Sequence, residues 1–215
     1  MKKTMLSKTM MGRTAVKAIL ATALLAGGIV GQVGAVSATA AKPTAAPIMR
    51  DNLSKYGLVK DVELPVTVEA GGLSYTLEKI MIYDFNSKDA QGLIKRFNYS
   101  PSSGMYLNPK SMIWTKIIIK NNSKKTIDNF DGKSKWSIQT ADFDQTDPIQ
   151  SWSKIGKTND KEALNAYKLK PGESLSTYQA YYYTGKFDYL AIRIFYAGDF
   201  SEKYMVLPAE LREVK

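Results

Sequence analysis

Apolar and polar residues alternate with a period of two in several short stretches of this chain, and turn residues separate those stretches. Leu73, Tyr75 and Leu77 alternate with Ser74, Thr76 and Glu78, which predicts a half-buried strand. Past Lys79 the apolar phase moves to Ile80 and Ile82. A β-bulge produces such a one-residue shift within a strand, although a helix also satisfies this segment. The clearest strand is Met112–Lys120. It should turn Ile113, Thr115, Ile117 and Ile119 toward a core and Trp114, Lys116, Ile118 and Lys120 away from it.

Further strands follow from the same reading. Val66–Val68 precedes the Gly71-Gly72 turn, and Lys135–Thr140 carries Trp136 and Ile138 in phase. Ser174–Tyr183 follows a Lys170-Pro171-Gly172-Glu173 turn, with Leu175, Thr177, Gln179, Tyr181 and Tyr183 on one row and Tyr178, Ala180 and Tyr182 on the other. Tyr189–Ala197 alternates again, and Tyr204 with Val206 supplies a last edge strand. The polar Asp84–Lys110 stretch is long for a connection. Leu93, Ile94 and Phe97 can anchor one helical turn in it, and Met105-Tyr106-Leu107 a short hairpin. Asp160–Tyr167 is a candidate short helix. Regular crossover helices of a parallel sheet are missing, so the fold class expected is all-β, an antiparallel β-sandwich.

The N-terminus has a different character. Lys2, Lys3, Lys8, Arg13 and Lys17 precede an apolar Ala/Leu/Gly-rich run from Ala18 to Val36, and Ala38-Thr39-Ala40 then offers a small-x-small cleavage site. This is the pattern of a secretory signal peptide; the alternative is a retained anchor, for which the run is nearly long enough. The expected division is a signal peptide over 1–40, a disordered Pro/Ala/Thr-rich linker over 41–61 in which Asp51 to Leu58 can form a short turn of helix, a sandwich domain over 62–208 and a tail over 209–215. The expected localisation is secreted, with membrane contact only through the leader before cleavage. Five of the 30 basic residues lie in the leader, so the remainder carries 25 against 20 acidic residues, a formal +5. That balance does not point to nucleic acid, but polyanionic envelope polymers could attract it.

The motifs at Lys116-Ile117-Ile118-Ile119-Lys120-Asn121 and at Leu169-Lys170-Pro171-Gly172-Glu173-Ser174 resemble two recurrent segments of DUF4352-type domains. Those are extracellular, immunoglobulin-like sandwiches of bacteria, similar in fold to a secreted mycobacterial antigen. The resemblance spans roughly residues 62–208, and the long stretch before Lys110 and the Tyr-rich strand depart from it. It implies an immunoglobulin-like fold and an envelope or binding role, with no catalytic residues to carry over.

Candidate chemistry is sparse. The chain has no Cys and no His, which removes thiolate nucleophiles, Ser-His-Asp triads and histidine-ligated metals. No catalytic residue, cofactor or metal site is assigned. Asp142, Asp144 and Asp147 cluster, and a carboxylate-dependent hydrolase or a calcium-responsive loop stands as the alternative to a solvated acidic turn. The EF-hand pattern fails, since Ser153 stands where its Glu belongs. The aromatics are the better clue. Trp114, Tyr178, Tyr181, Tyr182 and Tyr183 form a candidate binding surface for an envelope polymer or extracellular protein. The competing expectation is that these rings fill a secondary cluster beneath the Asp84–Lys110 segment.

Overall fold

The structure, a computed structural model, describes residues 52–56, 58–60, 63–100, 107–129, 134–141 and 144–208. All belong to the compact unit spanning 44–215. The expected signal peptide, most of the expected linker, the expected tail, Asp142, Tyr106 and Met105 lie outside the described residues.

Among the described residues eleven strands occur in chain order: β1 (Leu58–Lys60), β2 (Val66–Ala70), β3 (Leu73–Asp84), β4 (Ser111–Asn121), β5 (Ile127–Asp128), β6 (Ser134–Ala141), β7 (Asp144–Thr146), β8 (Lys168–Leu169), β9 (Ser174–Tyr183), β10 (Leu190–Tyr196) and β11 (Asp199–Pro208). They form a five-stranded sheet ordered β1-β11-β10-β6-β7, a four-stranded sheet ordered β2-β3-β4-β9, and the small pair β5-β8. The pairings between these strands are antiparallel. The fold is mostly β, and the two main sheets face each other as a general β-sandwich.

The core follows from the alternation. Leu73, Tyr75, Leu77, Ile113, Ile117, Ile119 and Tyr181 of one sheet meet Trp136, Ile138, Leu190, Ile192 and Ile194 of the other in one buried cluster. In β3 the expected bulge is present. Leu77 pairs with Ile117 and Lys79 with Lys116, leaving Glu78 as the extra residue. It returns Ile80 and Ile82 to the core side and sets Glu78 2.8 Å from Lys116.

Four expectations need correction. The fold begins earlier than Val62: the expected helical turn is present as a 3-10 helix at Leu53–Tyr56, but β1 pairs with β11, and Leu53 and Leu58 are buried. This part of the presumed linker therefore belongs to the sandwich. The last strand runs from Asp199 and lies between β10 and β1, so it is not an edge. Ala197 and Gly198, at φ 53° and 85°, make the two-residue turn that joins it tightly to β10. The stretch from Asp160 to Tyr167 forms no helix. Asp160 Oδ1 instead accepts the backbone N–H groups of Glu162 and Ala163 at 2.9 and 3.1 Å, an Asx-type turn that competes with helix.

The fourth correction concerns Asp84–Lys110, which holds a ten-residue helix, α1 (Lys88–Phe97), rather than a single turn. Ser87 caps its start by accepting from Ala90 N–H at 3.3 Å. Asn98, at φ 50°, ends it in the left-handed conformation. Ala90, Leu93 and Phe97 form its buried stripe. That stripe lies on the outward face of the four-stranded sheet and makes a second cluster with Tyr83, Met112, Trp114, Ala180 and Tyr182. The result is a helix laid over one sheet of a two-sheet sandwich. Among the described residues no helix is long and apolar enough to cross a membrane.

Candidate functional site

The five aromatics expected to form a binding surface do not form one. Trp114, Tyr181, Tyr182 and Tyr183 are each 1% exposed or less, and Tyr178 is half-buried. Tyr181 belongs to the core between the sheets. Trp114 and Tyr182 do point the other way, as the alternation requires, but α1 covers them. The Trp114 ring is sandwiched between Phe97 and Tyr178, at 5.6 and 5.4 Å between centroids. Tyr183 packs on Phe187 and donates to the Lys186 carbonyl at 2.8 Å. The competing expectation of a secondary cluster describes Trp114 and Tyr182 correctly.

That cluster is apolar in character even at its polar atoms. Tyr83 Oη, Trp114 Nε1 and Tyr182 Oη are buried without hydrogen-bond partners. Burial pushes the Tyr83 hydroxyl up to about 12 and raises that of Tyr182 as well. Burial disfavours the ionised phenolate in both cases.

Aromatic surface is exposed elsewhere, on the outward face of the five-stranded sheet. Phe195, Phe200 and Tyr204 are 47%, 51% and 42% exposed. Cross-strand pairing puts Phe195 opposite Phe200, Arg193 opposite Glu202 and Ala191 opposite Tyr204. Arg193 Nε contacts Glu202 Oε2 at 2.6 Å, and its guanidinium lies over the Phe200 ring at 5.2 Å. Tyr189 packs beside Tyr204 at 5.4 Å. The sequence signal was available: Ala191, Arg193 and Phe195 alternate with the core residues Ile192 and Ile194, so Phe195 had to face outward. Trp152 and Ile155, also exposed by about half, stand at the first residue and just past the end of a 3-10 turn at Trp152–Lys154 that no sequence pattern announced.

A cleft of about 290 Å³ opens at the start of β6 and is lined by Tyr75, Trp136, Asn129, Asp147, Ile149, Leu164, Asn165 and Gln179, among others. Its floor is the stacked Tyr75–Trp136 pair, 4.7 Å between centroids. Beneath it runs a directed chain. Trp136 Nε1 donates to Tyr181 Oη, and Tyr181 donates to Gln179 Oε1 at 2.9 Å. Asp147 is the one carboxylate among the described lining residues, whereas a glycosidase pair needs two. Among the described residues no three Asp, Glu, His or Cys side chains gather as a metal site; Asp142 lies outside them, while Asp144 sits on β7 and Asp147 faces the cleft.

No family model matches the chain, and no curated protein does. Among solved structures, the yjhA protein from Bacillus subtilis is similar at 15% identity and TM-score 0.39, covering 60% of this chain and 77% of that one. A conserved hypothetical protein from Bacillus anthracis is similar at 13% identity and TM-score 0.39, covering 66% and 93%. A functionally unknown protein from Listeria monocytogenes EGD-e gives 15%, 0.39, 66% and 81% in the same order.

Proposed function

We propose that this chain is a secreted, non-enzymatic binding module of the bacterial cell envelope, with an immunoglobulin-like sandwich of the DUF4352 type, and that its ligand is an envelope polymer. The observation that carries the reading is the uncovered stripe of Phe195, Phe200 and Tyr204 with Arg193 at its centre. Rings on a flat sheet face offer stacking area at little conformational cost. The formal +5 of the chain beyond its leader favours polyanions.

The connectivity supports the immunoglobulin-like reading. The order β3-β4-β9 facing β6-β10-β11 has the connectivity of strands A-B-E facing C-F-G in that fold. Strands β2, β1 and β7 are then additions at the sheet edges. The leader pattern at 1–40 supports export.

Two measurements test the reading. N-terminal sequencing of protein recovered from the culture medium should begin at Ala41; protein found only in the cytoplasm refutes export. The secreted protein should co-sediment with isolated cell walls, and F195S/F200S should reduce the bound fraction at least fivefold without changing the melting temperature. Equal binding by both proteins removes the stripe as the contact surface.

A further inference from the structure

Three of the carboxamides that line the cleft beside Trp136, those of Gln179, Asn129 and Asn165, have orientations dictated by their neighbours. An indole N–H can only donate, so Trp136 uses the Tyr181 oxygen as acceptor and the Tyr181 proton must go elsewhere. It goes to Gln179 Oε1, which leaves the Gln179 nitrogen and its two protons unspent. Gln179 is only 7% exposed, yet its side chain lines the cleft. Asn129 repeats the arrangement. Its Oδ1 accepts the backbone N–H of Tyr167 at 2.7 Å, and again the nitrogen is left over. Asn165 differs, since it accepts from Ser151 N–H at 2.8 Å and donates to the Ser151 carbonyl at 2.7 Å. It is structural.

Two carboxamide nitrogens whose oxygens are already engaged therefore line the cleft, and an entering acceptor can take a hydrogen bond from each. The other lining groups narrow the choice. Lys135 and Asp147 cancel in charge, which disfavours a bare anion. Asp147 adds an acceptor, and Ile149, Leu164 and the aromatic floor add apolar wall. One small group has a strong carbonyl acceptor, a single N–H and an apolar flank: the secondary amide. We propose that this cleft binds a secondary amide, with its carbonyl on Gln179 and Asn129 and its N–H toward Asp147. Peptide bonds and the acetamido groups of amino sugars share this chemistry. The site is separate from the aromatic stripe and stands or falls independently of it.

Side-chain amide and indole resonances in ¹H–¹⁵N spectra of the protein provide the test. N-acetylglucosamine and N-acetylglycine N-methylamide are the two probes, with glucose and glycerol as controls of equal polarity. Either probe should give saturable shifts of the Gln179 NH₂ and Trp136 indole signals, and the controls should not. The responding probe identifies the source: the sugar points to glycan acetamides, the blocked glycine to peptide. Q179E keeps the oxygen that Tyr181 needs but removes both donors, and should weaken binding about tenfold, equivalent to about 1.4 kcal/mol. N129D should weaken it in the same direction. Absence of saturable shifts in the wild-type protein with both probes overturns the proposal, whatever the variants do. Equal shifts with glucose, or undiminished affinity in a folded Q179E, overturn it as well.

Discussion

Gly172 donates its backbone N–H to the carbonyl of Asn121 at 2.8 Å, and Asn121 donates its own to the Glu173 carbonyl at 3.0 Å. The end of β4 is thereby clasped by the turn before β9. The two sequence motifs that carry the family resemblance are thus parts of one contact. The Asn121 side chain completes it, donating to the carbonyls of Lys125 and Leu169 at 2.7 and 2.9 Å and accepting from Ser123 N–H at 2.9 Å. A wholly buried carboxamide that satisfies backbone groups from two segments ties those segments together.

Asn121→Ala should therefore be among the costlier single substitutions. It removes several side-chain hydrogen bonds at once from a buried position, and a loss of about 2–4 kcal/mol is expected. Urea denaturation with an unchanged m-value measures it. A loss under about 0.5 kcal/mol means that the clasp does not hold the sheet.

Two glycines should respond to alanine in opposite senses. Gly172 sits at φ 80° with open space around it. Glu173 N–H returns to the Lys170 carbonyl at 3.0 Å, so the turn has Pro171 and Gly172 where a type II turn requires them. Gly172→Ala should cost about 1–2 kcal/mol from backbone strain alone. Gly92 lies in the exposed part of α1, also with nothing near it. Gly92→Ala should stabilise by about 0.8–1 kcal/mol through helix propensity. Thermal melts of the two variants side by side decide it.

Adjacent tyrosines separate a networked hydroxyl from an orphaned one. Tyr181→Phe removes the group that joins Trp136 to Gln179 and should cost about 1–3 kcal/mol. Tyr182→Phe removes a buried hydroxyl with no partner and should be neutral or stabilising by up to about 1 kcal/mol. A comparable loss in both refutes the distinction.

Acid should loosen the loop that follows the Trp152 turn. Lys154 contacts Glu162 at 2.6 Å and Asp160 at 3.3 Å, and Arg96 of α1 contacts Glu162 at 2.8 Å. Lys154 first and Arg96 second hold the Glu162 carboxyl below its ordinary value. For Asp160 burial pushes upward, but the N–H groups of Glu162 and Ala163 together with Lys154 outweigh it. Both folded values are depressed, so the stabilisation is complete above the unfolded carboxylate range of about 4–4.5 and is lost as pH falls through the folded values. Glu162→Gln should flatten the stability profile below about pH 4 by no more than about 1 kcal/mol, since the pair is largely solvated. An unchanged slope refutes the assignment.

Much of the sandwich was legible because period-two alternation is a local property. The bulge at Glu78 could be read from the phase shift at Ile80, and the turn before β9 from Pro171-Gly172. Leu58 and Asp199 were missed for a shared reason. β1 is three residues long, and the start of β11 follows a hairpin turn with alanine where glycine or asparagine is usual. Pairing partners distant in sequence, rather than local pattern, make these segments strands.

The amino-acid sequence by itself determined which side of its strand each ring takes, because successive side chains in a strand point to opposite faces. Trp114 and Tyr182 were bound to leave the inter-sheet core, and Phe195 was bound to face away from Ile192 and Ile194. Only the tertiary structure decided which outward face stays open. That depends on where α1 lands, and Leu93 and Phe97 bury their surface by docking on Trp114 and Tyr182. The rings that looked free are covered, and the Phe195–Phe200 pair remains in contact with solvent. The cleft amides belong to the same class of facts: the free nitrogen of Gln179 exists because Trp136, remote in sequence, claims the oxygen of Tyr181.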